Sequence, residues 1–166
     1  MTTLVINTPA QQRESLIIPP VPVDEQPIKN TPFFPDIDPK RVREEMRLEQ
    51  TVSTVRLRRA IKTAIAETNA ELSKWREYQQ DTGYARLEDV PTDKLDGESV
   101  RVFHYVNAVC AMTAATLYER YRGVDASAKG DKKADSIDTT IDEMWRDMRW
   151  SVARIQDKAR CIVGQI

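Results

Sequence analysis

The sequence predicts an all-α protein, a four-helix bundle with an extended proline-rich N-terminal arm and a short C-terminal tail. Three observations lead there. Eight of the nine prolines, Pro9 to Pro39, fall in the first 39 residues, so a segment without helical pattern precedes one nearly free of helix breakers. From Pro39 onward apolar residues recur at spacings of three and four, the period of one helix face. Alternation of apolar and polar residues never lasts more than a few positions, and no internal repeat is present.

A chain of 166 residues suffices for one compact domain. Composition divides it into an arm over residues 1–35, a bundle over 36–159 and a tail over 160–166. The arm carries Leu4, Val5, Ile6, Leu16, Ile17, Ile18, Phe33 and Phe34, too much apolar surface for an inert spacer. Ile17, Ile18, Phe33 and Phe34 are therefore expected to contact a neighbouring subunit. An arm folded back onto its own domain has equal support.

Within the bundle, Asp38 followed by Pro39 is an N-cap with proline at the first helical position, which starts a short amphipathic helix over 39–48. A long helix over 54–81 follows. Leu57, Ile61, Ile65, Thr68, Leu72 and Trp75 form its stripe, and Gly83 marks its stop. A loop with Pro91, Asp93, Asp96 and Gly97 leads to a third helix over 98–122, in which VFHYVNAVCAMTAATLY is apolar or small on nearly every side. That helix belongs at the centre. Arg120, Arg122 and Gly123 mark its end. The polar stretch VDASAKGDKKADS reads as a solvated loop, and Ser136 caps a fourth helix over 137–158. Ile137, Ile141, Met144, Trp145, Met148, Val152 and Ile155 form the stripe of that helix. The remainder, ARCIVGQI, leaves the pattern.

Composition narrows the function. The formal net charge is -1, so no global field draws the chain to nucleic acid or to an anionic membrane. With no basic segment leading a long apolar one and no run of eighteen apolar residues, the protein is expected to be soluble and cytoplasmic when made. Cys110 and Cys161 make neither a disulfide framework nor a zinc site, and Cys110 sits in an apolar helical pattern as a small hydrophobe. Acid-base chemistry needs converging titratable groups, yet His104 is the only histidine and lies in the most apolar helix. Asp36 and Asp38 have the spacing of a calcium loop, but Pro39 follows and the glycine and terminal glutamate are missing. Gly130-Asp131-Lys132-Lys133 lacks the strand and the Ser/Thr of a phosphate loop. No enzyme, metal or cofactor is expected.

Residues 36–62 hold eight basic side chains, Lys40, Arg41, Arg43, Arg47, Arg56, Arg58, Arg59 and Lys62, against five acidic ones. Two helices with basic faces would suit a helix-turn-helix packaging subunit that binds DNA. Helix faces that pair electrostatically with a neighbouring subunit are the stronger reading, because the second helix is long, acidic in its latter half and committed to the core.

The strings NTPFFPDIDPKRVREEMRLEQTV, AETNAEL, AVCAMTAATLYERYRGVDASAKGDKKADSIDTTIDEMWRDMRW and the ending RCIVGQI closely resemble the head completion and stabilisation protein L family of temperate contractile-tailed bacteriophages. The resemblance runs from about Lys29 to Ile166. In topology and in the motif LYERYRG the chain is also similar, more distantly, to head-to-tail connector adaptors. The resemblance implies a virion protein without enzymatic activity that joins the DNA-filled head after packaging and forms a ring beneath the portal. It implies as partners the portal protein, neighbouring copies, twelve by analogy with the portal ring, and a neck or tail-completion protein. Passing contact with packaged double-stranded DNA is implied too, and no membrane. On this reading Lys129, Lys132 and Lys133 line the DNA channel, with an outward-facing loop equally supported. The tail residues Arg160, Cys161, Ile162, Val163 and Ile166 dock on the portal, the alternative being a tail that closes its own bundle.

Overall fold

The computed structural model describes residues 26–46, 52–125 and 131–159. Helix α1 spans Pro39–Glu45, and its start is the one read from sequence: the carboxylate of extended Asp38 accepts from the Lys40 amide at 2.9 Å, and Pro39 occupies the first turn. Instead of one helix over 54–81 the structure has two, α2 over Thr54–Glu71 and α3 over Ser73–Asp81. The break is a bend at Leu72 (φ -90, ψ 1), which is fully buried. Hydrogen bonding continues through it, since the Leu72 amide donates to Thr68 O at 3.1 Å and the Arg76 amide to Leu72 O at 2.8 Å. Ser73 Oγ donates to the Ala70 carbonyl at 2.8 Å. Periodicity is blind to such a bend because the apolar stripe runs on through it.

Gly83 ends α3 as expected. Its φ of +101 admits the paired bonds Gly83 N to Gln80 O and Tyr84 N to Gln79 O, at 3.0 and 3.1 Å, that close a helix in a left-handed turn. After a 3-10 turn at Leu87–Asp89 comes an element absent from the sequence reading, a small hairpin of β1 (Lys94–Leu95) and β2 (Glu98–Ser99). Lys94 faces Ser99 and Leu95 faces Glu98. Asp96 (φ 50) and Gly97 (φ 79) form the two-residue turn, and both positive angles suit a hairpin of this length.

Helix α4 spans Val100–Asp125 and α5 spans Asp131–Ile155. Two expected boundaries are corrected here. Gly123 lies inside α4: glycine permits a left-handed stop without requiring one, and within a helix it costs only about 1 kcal/mol relative to alanine. Ser136 lies inside α5, as do Lys132 and Lys133, so this part of the expected loop is helix. Polarity signals solvation, not irregular backbone, and no proline or glycine interrupts Asp131 to Ile155. At its other end α5 stops at Ile155, three residues before the predicted limit.

The described chain is thus mostly helical, with five α-helices and one hairpin in place of the expected four helices. As its composition predicts, α4 is central and packs on both α2 and α5. Tyr105, Ala108, Val109, Cys110, Thr113, Ala114 and Ala115 are completely buried along it. Small side chains let the neighbouring helices approach closely, while Leu57 and Ile61 from α2 and Ile155 from α5 fill the space beside them.

The N-terminal boundary also moves. Ile28 and Ile37 pair across a narrow loop, exchanging backbone bonds of 2.7 and 3.1 Å. Phe33 and Phe34 between them are 2% and 4% exposed. The folded body therefore begins near residue 28, and the limit drawn after residue 35 falls within it. Proline density removes helix from this segment but leaves its aromatic side chains free to bury.

Candidate functional site

Two structured ends of the body control how chain enters and leaves it. The first is the loop 28–37. Asn30, Tyr105 and Asn69 close a ring of side-chain hydrogen bonds: Asn30 Nδ2 donates to the Tyr105 hydroxyl at 2.8 Å, the hydroxyl donates to Asn69 Oδ1 at 2.6 Å, and Asn69 Nδ2 returns to Asn30 Oδ1 at 2.9 Å. Asn30 also donates to the Pro35 carbonyl at 2.9 Å. Phe34 stacks on the Tyr105 ring, with centroids 4.6 Å apart and planes at 10°, and Phe33 meets Trp75 edge-on at 6.2 Å. The Leu87 amide donates to the Phe33 carbonyl at 2.8 Å, and Lys29 pairs with Asp36 at 2.7 Å outside. Burial pushes the Tyr105 hydroxyl above its ordinary range, so it serves as a neutral donor and acceptor.

The second end is the exit from α5. Asp157 adopts φ 57, rare for a residue with a side chain, while Asp157 N bonds Arg154 O at 3.2 Å and Lys158 N bonds Ala153 O at 2.9 Å. This is the bond pattern found at Gly83, made here without glycine. Arg101 holds it. Its buried guanidinium donates to the Ile155 carbonyl, to Asp157 Oδ2 at 2.8 Å and to the Pro91 carbonyl at 3.4 Å, and lies 5.5 Å from the Trp75 ring centroid. One side chain of α4 thereby ties together α3, the loop at Pro91 and the end of α5.

A cleft of about 410 Å³ opens between loop 30–36, Arg86–Glu88 and Val102. Its charged groups are already matched, Asp36 to Lys29 and Arg86 to Glu88 at 2.8 Å. It holds no nucleophile with an adjacent base. Cys110 lies elsewhere, against Glu45, and burial pushes its thiol up to about 12, so the thiolate that reacts is suppressed at neutral pH. Among the described residues no group of three or more His, Cys, Asp or Glu could hold a metal, and no helix is long and apolar enough to cross a membrane.

The residues singled out from sequence are placed unevenly. Phe33 and Phe34, expected on a neighbouring subunit, are packed in this chain's own core. Ile17, Ile18, Lys129, Arg160, Cys161, Ile162, Val163 and Ile166 lie outside the described residues. Lys132 and Lys133 have helical backbone. Sequence reasoning missed Arg101, Asn30, Asn69 and Asp157. The pair of asparagines could have been suspected from the quoted strings NTPFFPD and AETNAEL, whereas nothing local marks a buried arginine.

The basic segment 36–62 also separates into parts. Arg41 pairs with Glu45 at 2.5 Å and Glu98 at 3.9 Å, Arg43 donates to the Val52 carbonyl at 3.0 Å, and Arg58 donates to the Gln26 carbonyl at 2.6 Å. Arg56, Arg59 and Lys62 are left exposed along one face of α2.

Comparison with known proteins gives a consistent result. The family model described as phage head completion protein (GPL) matches residues 28–166, starting at the first core residue of the folded body. The chain is 66% identical over 169 residues to the head completion/stabilization protein of Escherichia phage P2, with both chains covered in full. No solved structure matches.

Proposed function

The chain belongs to the phage head completion protein family, and on that premise we propose that it forms a connector ring of twelve copies beneath the portal, where it stabilises the DNA-filled head and readies it for tail joining. The coarser role, a structural virion component that completes the head, follows from the family itself. Assembly in the host cytoplasm and a final position in the neck belong to the proposal. Its partners would be the portal, neighbouring copies, a neck or tail-completion protein and, in passing, the packaged DNA.

One observation carries the finer reading: the body closes before the tail begins. Ile155 is fully buried, and the turn at Asp157 is fastened by Arg101, so the bundle has its own stop ahead of Arg160. On the proposed reading the segment that follows, with Cys161, Ile162, Val163 and Ile166, docks in a groove on the portal, with Arg160 at the groove edge. Burying side chains of that size is worth roughly 1.5 to 3 kcal/mol each before ordering costs, and repetition around a ring multiplies the effect.

The DNA-binding alternative draws less support, since Arg41, Arg43 and Arg58 already donate within the chain. Purified protein added to tailless, DNA-filled heads tests the proposal. The full chain should add at the portal vertex and hold the DNA in. A chain ending at Ala159 should melt at an unchanged temperature and add poorly. Normal addition by the shortened chain would remove the docking role of the tail, and salt-sensitive retention on free DNA without portal would favour the alternative.

A further inference from the structure

Helix α2 carries its charges in an order that opposes its own dipole. Its exposed face reads Val55, Arg56, Arg59, Lys62, Thr63, Ala66, Glu67, Ala70 and Glu71, basic toward the N-terminus and acidic toward the C-terminus. The first turn has no acidic residue, the last turn has no basic one, and Ser53 makes no side-chain capping bond. A helix N-terminus favours negative charge, so Arg56 and Arg59 stand where cations are least welcome. Spacing adds to the conflict. Arg56, Arg59 and Lys62 follow at intervals of three and Glu67 and Glu71 at four, which places like charges side by side. Among the described residues none of these five has a salt-bridge partner.

Such an order is unfavourable in an isolated subunit and becomes favourable when the basic half meets an acidic half supplied from outside. The same helix provides both. Between the halves the exposed surface is small and flat, Thr63 and Ala66, as it is at Ala70 within the acidic half, and Val55 at the basic end is 74% exposed. Nothing bulky there prevents close approach.

We propose that α2 is the contact between copies: the basic half of α2 on one copy, Arg56, Arg59 and Lys62, binds the acidic half of α2 on the next, Glu67 and Glu71. Both halves lie on one face of the helix, so a ring needs the α2 helices of successive copies to be offset along their length. The basic half of each then meets the acidic half of only one neighbour, whereas full antiparallel overlap would close a dimer instead. The partner is a second copy of this chain. The inference rests on the ring reading for its biological setting, but the contact itself can be tested without portal or heads.

The test uses two full-length variants, one with Arg56→Glu and Arg59→Glu, the other with Glu67→Arg and Glu71→Arg. Sedimentation velocity at low and at high salt follows self-association. The unaltered chain should associate at low salt and dissociate as salt screens the contact. Either variant alone sets like charges against each other and should associate about tenfold or more weakly. Mixed in equal amounts, the two should recover the association, because every contact then pairs opposite charges. Both variants also relieve the conflict with the helix dipole, so each should melt no lower than the unaltered chain, which separates a lost contact from a lost fold. A chain that stays monomeric at low salt and high concentration overturns the proposal, as does a mixture that fails to recover. If instead the first variant loses retention on duplex DNA, the second keeps it and mixing restores nothing, the surface serves DNA. Should the mixture recover while no protein adds to heads at the portal vertex, the contact stands and the ring reading fails.

Discussion

The two ends of the folded body are fastened by opposite strategies. On the N-terminal side, loop 28–37 is woven into the core by two phenylalanines and a closed ring of three polar side chains. On the C-terminal side, the last turn of α5 buries Val152 and Ile155, and a single arginine fastens the turn that follows it. The first arrangement makes the loop part of the domain's stability. The second closes the domain at low commitment, with the stop already made at Asp157. The described body thus has one end integrated by core packing and another closed by a fastened turn.

That contrast can be broken on the side of the loop. Phe34→Ala removes the ring stacked on Tyr105 and leaves a cavity beside the polar triad, at a cost of about 3 to 5 kcal/mol. The expected drop in melting temperature is on the order of ten degrees for a chain of this size, read by circular dichroism. A drop of one or two degrees would mean that the loop is an accessory and the two ends are alike.

Arg101→Met should be the milder lesion. It keeps much of the apolar stem while leaving the Ile155 and Pro91 carbonyls without their donor, roughly 1 to 3 kcal/mol. Hydrogen exchange sharpens the comparison, since faster exchange should concentrate in the last two turns of α5 while loop 28–37 keeps its protection. Uniform loss of protection would show that Arg101 supports the whole core.

Smaller still is Asp157→Gly. Glycine relieves the positive φ, while the lost ion pair involves a carboxylate 73% exposed and is worth little. Stability measured by urea unfolding should stay within about 1 kcal/mol of the unaltered protein, on either side. A larger loss would make Asp157, rather than the carbonyl of Ile155, the main anchor for Arg101.

The least effect is expected from pH at the loop. The hydrogen bond from Lys29, aided by the Asn30 amide, holds the Asp36 carboxyl below the ordinary 3.8. A carboxyl depressed in the folded state stabilises above its unfolded value and loses that contribution as pH falls through the folded one. Replacing Asp36 with asparagine should therefore flatten the stability profile below about pH 4 and leave neutral pH nearly unchanged. Because the group is exposed, only the shape of the profile, measured by thermal melting across acid pH, decides it.

How legible the molecule was from its residues depended on whether a signal is local. Asp38-Pro39 announces the start of α1, and the apolar saturation of α4 announces its central place, because capping and periodicity act over a few residues. The loop at Phe33 and Phe34 read as an arm because proline reports backbone conformation and says nothing about which side chains find a groove. The bend at Leu72 was hidden inside an unbroken stripe. At the exit the usual glycine is absent, and the reason Asp157 can take its place sits far away in sequence, at Arg101. The same holds for the polar ring, whose members are Asn30, Asn69 and Tyr105. Head completion was legible at the level of family from long strings, whereas no short motif announces it.

The reach of Arg101 has one more consequence, for the timing of synthesis. Its two contacts at the end of α5 span 54 and 56 residues of chain. When α4 has been made those two acceptors have not, so of its folded-state partners the guanidinium has only the Pro91 carbonyl and the Trp75 ring within reach until the chain extends through Asp157. A product that stops before Ile155 lacks the closing turn and should be more open to proteolysis than one that includes Asp157, so completion of the body is set by that turn and not by the residues after it.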